Sequence, residues 1–149
     1  MEKFLIIIVS LLCCNISLAN NLKIVDGDTI VLNGEKIRFS GIDTPELKQT
    51  CLHNNKIVDC GMSAKILLIK KIGNKTPECI SEGKDVYNRT LAECFIDGKS
   101  LSKFLVRSGY AFAYRKYSKK FIDDEDFAKA NKNGMWTMKF KYPWDFRSR

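Results

Sequence analysis

Asp26-Gly27-Asp28-Thr29-Ile30-Val31-Leu32-Asn33-Gly34-Glu35-Lys36-Ile37-Arg38-Phe39-Ser40-Gly41-Ile42-Asp43-Thr44-Pro45-Glu46 is the stretch that decides how this 149-residue chain folds. Two short apolar-rich runs, Thr29–Leu32 and Lys36–Phe39, flank Asn33-Gly34. Asn-Gly between such runs is a strong hairpin signal, because both residues tolerate the positive φ of a type I′ turn. A hairpin folds back on itself, so it carries Asp28 at one end close to Asp43 at the other. Arg38, upstream of Asp43 on the second strand, joins them. Hard oxygen donors converging in this way suit Ca²⁺ or Mg²⁺, and a cation beside them suits an anionic substrate such as a phosphodiester. Asp, Gly, Thr and Pro also punctuate turns with no further role. A turn alone, however, does not require Glu46 and Arg38 at these spacings.

Outward from this hairpin, Lys23–Val25 and Lys36–Ser40 complete a set of three β segments with Thr29–Leu32. Gly61–Ile72 has helical spacing, with Ala64, Leu67, Leu68 and Ile72 on one face. Glu78–Ile80 and Thr90–Ile96 read as two more strands, the second closed by Asp97-Gly98. Ser100 caps a helix with Leu101, Phe104 and Leu105 on its apolar face, and Gly109 stops it. Tyr110–Tyr114 reads as extended or irregular. Phe121–Asn133 is the expected last helix, with Asp123, Asp124, Glu125 and Asp126 at its start and Lys129 and Lys132 near its end. That charge order complements the helix dipole, which accounts for the acids without a second metal site. Five strands interrupted by a helix are compatible with several β-rich folds, among them the five-stranded Greek-key barrel of the OB-fold.

The first nineteen residues read as a signal peptide. Lys3 gives a basic start, Phe4–Leu12 an apolar stretch, and Ser17-Leu18-Ala19 a small-x-small cleavage site before Asn20. The apolar stretch is too short to span a bilayer, so no stable membrane anchor is expected. A buried N-terminal helix is the alternative, and Cys13 or Cys14 would suit a lipoprotein were the preceding residues not unfit for a lipobox. The remainder, 20–149, is one domain's length, expected to be secreted or periplasmic and monomeric. Net charge is +8, and loss of Glu2 and Lys3 with the leader leaves it unchanged. A basic chain favours polyanions such as nucleic acid, anionic lipid or acidic glycan.

Cys51, Cys60, Cys79 and Cys94 remain after cleavage, an even count that in an exported chain reads first as disulfides. Four cysteines allow three pairings. Cys51–Cys60 is favoured because it brackets a polar loop, Leu52–Asp59, with no other means of order. Cys79–Cys94 is favoured as a bridge between the two β segments around Asp85–Arg89. A zinc site lacks Cys-x-x-Cys spacing and has only His53 to draw on.

Taken together, these motifs resemble the staphylococcal nuclease-like (thermonuclease) family. Besides Asp26–Thr29 and Gly41–Glu46, Asp85-Val86-Tyr87-Asn88-Arg89-Thr90 resembles its second arginine motif, Val106–Tyr117 its helix-to-tyrosine segment, and Glu125, Ala128 and Gly134-Met135-Trp136 its closing helix. The resemblance runs in order from about residue 22 to the end. It implies an α+β chain: a five-stranded OB barrel with about three helices. It also implies Ca²⁺ held by Asp28, Asp43 and the Thr44 carbonyl, with Glu46 as the general base that orients or deprotonates water. Arg38 and Arg89 are the implied phosphate clamp; paired guanidinium donors match two phosphate oxygens. Tyr87 and one of Tyr114 or Tyr117 would line the nucleotide pocket. Alternative roles are turn caps for the aspartates, an ion pair with a nearby lysine for Glu46, and core packing for the tyrosines. Arg115, Lys116, Lys119 and Lys120 add a basic run suited to backbone tracking or to a solvated face.

The chain departs from the family in having Asn88 where Tyr-Gly-Arg is common, although Asn tolerates the left-handed conformation best among non-glycine residues. Val86 likewise stands where a cation often precedes the tyrosine. The implied activity is Ca²⁺-dependent hydrolysis of DNA and RNA, with water attack in line with the 5′ oxygen and 3′-phosphate ends. Two readings stand beside it. A non-catalytic OB module would bind single strands only, and a cationic surface-adhesion protein would leave the carboxylates unexplained.

Overall fold

Asn33 and Gly34 both adopt positive φ, 51° and 85°, and the hairpin they close is the centre of the molecule. The computed structural model describes residues 21–148; the expected leader over 1–19, with Cys13 and Cys14, lies outside the described residues. Strand β2 (Thr29–Leu32) pairs antiparallel with β3 (Glu35–Phe39), and β1 (Leu22–Ile24) pairs with β2 on the other side. The register sets Thr29 opposite Arg38 and Ile30 opposite Ile37. Strand β8 (Thr90–Ile96) then runs parallel to β3, while the strand before it, Glu78–Lys84, pairs antiparallel to β8. The five long strands therefore lie in the order first, second, third, fifth, fourth. This is the Greek-key path of a partly open OB barrel.

Three smaller pairings surround that curled sheet. In chain order, β4 is Ile42–Asp43, β5 Cys51–His53, β6 Lys56–Val58, β7 Glu78–Lys84, β9 Lys99–Ser100 and β10 Phe112–Ala113. Strand β9 extends the sheet beside β8, β5 pairs with β6, and β10 pairs with β4. The helices are α1 (Cys60–Ile72), α2 (Leu101–Arg107), α3 (Ile122–Ala130) and α4 (Pro143–Arg147), with a 3₁₀ turn at Gly134–Thr137. The Ser100 hydroxyl accepts the Lys103 N–H and caps α2 as the sequence implies.

Several expectations change. Leu52–Asp59 is not an unordered loop. It holds the β5–β6 hairpin, turned at Asn54 and Asn55 with φ of 50° and 62°; two asparagines supply the positive φ that Asn-Gly supplies elsewhere. The fourth long strand runs to Lys84 rather than ending at Ile80. Within Tyr110–Tyr114, Phe112 and Ala113 form β10, which faces Asp43 and Ile42. The last expected helix ends at Ala130, and Asn133 no longer belongs to it. A fourth helix follows at Pro143, with proline in the first turn, where its missing N–H costs nothing.

Two hydrophobic cores result. The barrel core gathers Ile30, Ile37, Phe39, Leu68, Ile72, Leu101 and Leu105 with their neighbours. The second core gathers Cys51, Cys60, Phe112 and Met135, covered by Trp136, Met138, Phe140, Tyr142 and Trp144. Fully buried Phe112 is its hub, with ring centroids 5.5 Å from Trp136, 5.2 Å from Phe140 and 5.0 Å from Tyr142. Truncating such a ring typically costs about 3–5 kcal/mol. Both disulfides are formed, Cys51–Cys60 in the second core and Cys79–Cys94 across directly opposed residues of β7 and β8.

Candidate active site

The turn before β2 places Asp28, and β4 places Asp43. Both carboxylates are buried, with 2% and 1% of their side chains exposed. Gly27 makes that turn possible, since a Cβ there would lie 2.9 Å from Thr44 Oγ1 and from the Ala64 side chain. Arg38, opposite Thr29 on the hairpin, reaches between the acids: Nη1 donates to Asp28 Oδ1 at 2.8 Å and Nη2 to Asp43 Oδ1 at 2.7 Å. Thr44 closes the other side, its N–H and hydroxyl both donating to Asp28 Oδ2, at 2.9 and 3.0 Å. Pairing of β4 with β10 pins Asp43 opposite Phe112, hub of the second core.

Burial lifts the Asp28 carboxyl above the ordinary carboxylate range even though Arg38 pulls it down. Burial also opposes the charge on Arg38, but Asp28 and Asp43 outweigh it and hold the guanidinium protonated beyond its usual range. All four oxygens of Asp28 and Asp43 accept donors from Arg38, Arg147 or Thr44, so a divalent cation would bind these acids by taking the place of some of those donors. Among the described residues there is no cluster of three or more His, Cys, Asp or Glu side chains suited to a metal. The available set is therefore two carboxylates completed by backbone or water oxygens. Such hard donors fit Ca²⁺ better than a soft metal, and Asp28, Asp43 and Thr44 are the residues that would hold it.

Arg89 faces this group across an open cavity of about 1080 Å³ lined by Asp28, Arg38, Glu46, Tyr87, Arg89 and Tyr114, among others. Asp43 lies beneath its arginine partners. Asn88 adopts φ 61°, so the turn survives the absence of glycine. Asp85 organises that turn by accepting the N–H groups of Tyr87 and Arg89, each at 2.9 Å, and Arg89 Nε at 2.6 Å. Burial would raise Asp85, but these bonds outweigh it and hold the carboxyl below its ordinary range. Arg89 also lies over the Tyr87 ring, 5.5 Å from its centroid. Tyr87 and Tyr117 are largely exposed. Tyr114, half-buried, meets Tyr117 edge-on at 4.9 Å and stacks on Trp144 at 5.5 Å and 3°.

Glu46 sits on the rim. Its backbone is held where helix α1 begins: a Cβ on Gly61 would fall 1.8 Å from the Glu46 carbonyl oxygen, so only glycine permits this approach. Its carboxylate pairs with Arg147 of α4, not with a lysine. Arg147 Nη1 donates to Glu46 Oε1 at 2.6 Å and to Asp43 Oδ1 at 3.2 Å, and Nη2 donates to Asp43 Oδ2 at 2.7 Å. Hydrogen bonding to Asp43 raises the Arg147 guanidinium above its usual range. The sequence reading missed this residue. The available signal was Tyr142-Pro143-Trp144-Asp145-Phe146-Arg147, where proline opens a helical turn that sets Trp144 and Arg147 three apart, on one face.

The acids at the start of α3 do more than complement its dipole. Glu125 is fully buried, accepts the Ala113 N–H at 3.2 Å and pairs with Arg115 and Lys129. It thereby holds β10 in place beside β4. Asp124 pairs with Arg107, and Lys120, from the expected basic run, pairs with Glu93.

The chain thus presents buried carboxylates and clustered arginines at an open cavity on a curled sheet of OB-fold topology. The sequence model of the staphylococcal nuclease homologue family matches residues 36–138, and the chain belongs to that family. It is 32% identical to the succinoglycan biosynthesis protein ExoI of Rhizobium meliloti over 76% of this chain and 61% of that protein. An uncharacterized endonuclease of Escherichia coli O157:H7 is 30% identical over 85% of this chain and 82% of its own length. The endonuclease YncB of Bacillus subtilis is 31% identical over 76% of this chain and 58% of its own length. The chain thus spans about three-fifths of the length of several curated relatives it matches.

Proposed function

We propose that this chain is a nuclease that hydrolyses phosphodiester bonds of DNA and RNA in a Ca²⁺-dependent reaction. The observation that carries this reading is the placing of Arg38 and Arg89 on one cavity with the Asp28–Asp43 pair below it and Glu46 on its rim. Arg38 and Arg89 neutralise the phosphoryl oxygens as charge builds on them. Glu46 takes a proton from the attacking water, whose oxygen bonds to phosphorus as the bond to the 5′ oxygen breaks. The 5′ oxygen leaves with a proton drawn from solvent, and the phosphate stays on the 3′ end. When bound, Ca²⁺ supplies Lewis-acid stabilisation of the phosphoryl group at Asp28, Asp43 and Thr44. Tyr87, Tyr114 and Tyr117 offer ring faces and hydroxyls to the nucleotide.

Export belongs to the same proposal. Two formed disulfides suit an oxidising compartment, and residues 1–19 have the composition of a cleaved leader. Incubating the mature chain with supercoiled plasmid and with RNA, in Ca²⁺ or in excess chelator, tests the reading. The expected result is degradation only with Ca²⁺, with ends that accept ligation at the 3′ side only after phosphatase treatment. Binding without cleavage would instead mark a non-catalytic OB module, and full activity in chelator would remove the metal from Asp28 and Asp43.

A further inference from the structure

Arg147 lies beyond the segment matched by the family model, yet its guanidinium joins two acids of the site. We infer that Arg147 is a positioning residue: it holds the Glu46 carboxylate beside Asp43 in the orientation from which Glu46 accepts the proton of water. This rests on the hydrolytic reading above.

The geometry carries the argument. Arg147 commits both terminal nitrogens to carboxylates, bidentate on buried Asp43 and single on Glu46. Arg38 commits its own terminal nitrogens to Asp28 and Asp43 and Arg89 its Nε to Asp85, so what sets Arg147 apart is its bond to Glu46. Among the described residues Arg147 is the one cation in an ion pair with Glu46, whose side chain is otherwise 41% exposed. Asp28, Asp43 and Glu46 place three negative charges here against Arg38 and Arg147. Without Arg147, Glu46 would lean away from buried Asp43 into solvent, because like charges in a partly buried site repel strongly. A planar fork can bridge two acids at once, which an ammonium does poorly.

Arg147 is also delivered by a fixed strap. Lys139 exchanges backbone hydrogen bonds with Leu52, both at 2.9 Å, and Gln49 Nε2 donates to the Lys141 carbonyl at 2.7 Å. The same Gln49 accepts the Glu46 N–H through Oε1. Trp144 stacks between Tyr142, at 4.6 Å and 8°, and Tyr114, at 5.5 Å and 3°. One buried glutamine and one aromatic stack thus set the strap and the Glu46 loop relative to each other, and Arg147 closes the link at the side-chain level.

Single-turnover cleavage of a labelled DNA oligonucleotide at saturating Ca²⁺ tests this on wild type, Glu46→Gln, Arg147→Ala, Arg147→Lys and the Glu46→Gln/Arg147→Ala double variant. KM and melting temperature are measured alongside. Arg147→Ala is expected to slow the chemical step roughly 10–100-fold, the cost of a misplaced group, with KM within about threefold. Arg147→Lys recovers part of the loss. In the Glu46→Gln background the Arg147→Ala change costs less than about twofold, because its effect runs through Glu46. Additive losses, or a raised KM at constant turnover, would assign Arg147 to the phosphate and overturn the inference. So would faster turnover with tighter Ca²⁺ binding by calorimetry, which would make Arg147 a competitor for Asp43. If Arg147→Ala loses its fold, Arg147→Lys and Arg147→Gln carry the same comparison. A fully active Glu46→Gln protein overturns the hydrolytic role of Glu46 itself, whereas a slow Glu46→Gln beside a wild-type-like Arg147→Ala overturns this inference alone.

Discussion

Asp28, Arg38, Asp43 and Thr44 reach the site from one hairpin and its flanking turns, and the longest span among their contacts is sixteen residues, from Asp28 to Thr44. The cation on Glu46 comes from 101 residues downstream. The first wall is built on strand register: with Thr29 opposite Arg38, the arginine can only fall beside Asp28. The second wall is built on packing. Its position depends on a second core of rings and sulfur, and on a strap with no long strand or helix of its own. Charges that meet by register are sturdy against distant change, while those that meet by packing are exposed to any substitution that loosens the cluster.

Removing a charge from the hairpin wall, or the Arg89 that faces it across the cavity, should have the largest effect. Asp43→Ala and Arg89→Ala are each expected to lower turnover by roughly 10²–10³ or more, the loss seen on deleting a preorganised charged group. Circular dichroism should show an intact fold. A folded variant of either kind with near wild-type turnover would remove that residue from the mechanism and weaken the contrast between the two walls.

The disulfides divide the walls next. Cys51–Cys60 closes nine residues and Cys79–Cys94 fifteen, so serine replacement of either pair should cost about 2–3 kcal/mol by loop entropy. Only the first lies in the core beneath the strap. Loss of Cys51–Cys60 should therefore also slow cleavage per folded molecule, by roughly tenfold, while loss of Cys79–Cys94 leaves that rate unchanged. Equal rate losses would show that the strap does not depend on its own core.

The smallest effects are on stability against pH, measured as melting temperature in chelator. Asp28 binds its proton more tightly folded than unfolded because it is buried. Its ionisation opposes folding, and that cost is absent below the unfolded value near pH 4 and grows as pH rises through the raised folded value. Asp28→Asn should thus gain stability with rising pH and gain none in acid. Asp85 has the opposite sign, since hydrogen bonds from Arg89 and Tyr87 hold its folded value low. It contributes stability above the unfolded value and loses it as pH falls through the folded one. Asp85→Asn should melt on the order of a few degrees lower at neutral pH and match wild type at the acid end. Parallel pH curves for the two variants would contradict the assigned environments.

Reading the sequence located the hairpin, the long strands and helices α1 and α2, because each rests on signals confined to a few residues: Asn33-Gly34, the apolar alternation of Thr90–Ile96, the Ser100 cap. It also named two of the three arginines that line the cavity, Arg38 and Arg89 but not Arg147, and both disulfide pairings now seen in the fold. It took Glu125 for a dipole partner, since nothing local says that a glutamate two residues into an acidic run will be buried against Ala113. It took Leu52–Asp59 for a loop because paired asparagines are a weaker turn signal than Asn-Gly. Helix α4 went unread because five residues carry too little periodicity to register.

By itself, then, the sequence determined the elements with local hydrogen-bonding and φ preferences, and the family-like set Asp28, Arg38, Asp43, Glu46 and Arg89. Only the tertiary structure decided which of those charges touch, that Asp43 is shared between Arg38 and Arg147, and that Glu46 answers to an arginine rather than a lysine. The physical reason is range. Turn and strand preferences act over a few bonds and are written in neighbouring residues, whereas the partner of a rim carboxylate is chosen by how two cores pack, a sum over contacts from the whole chain.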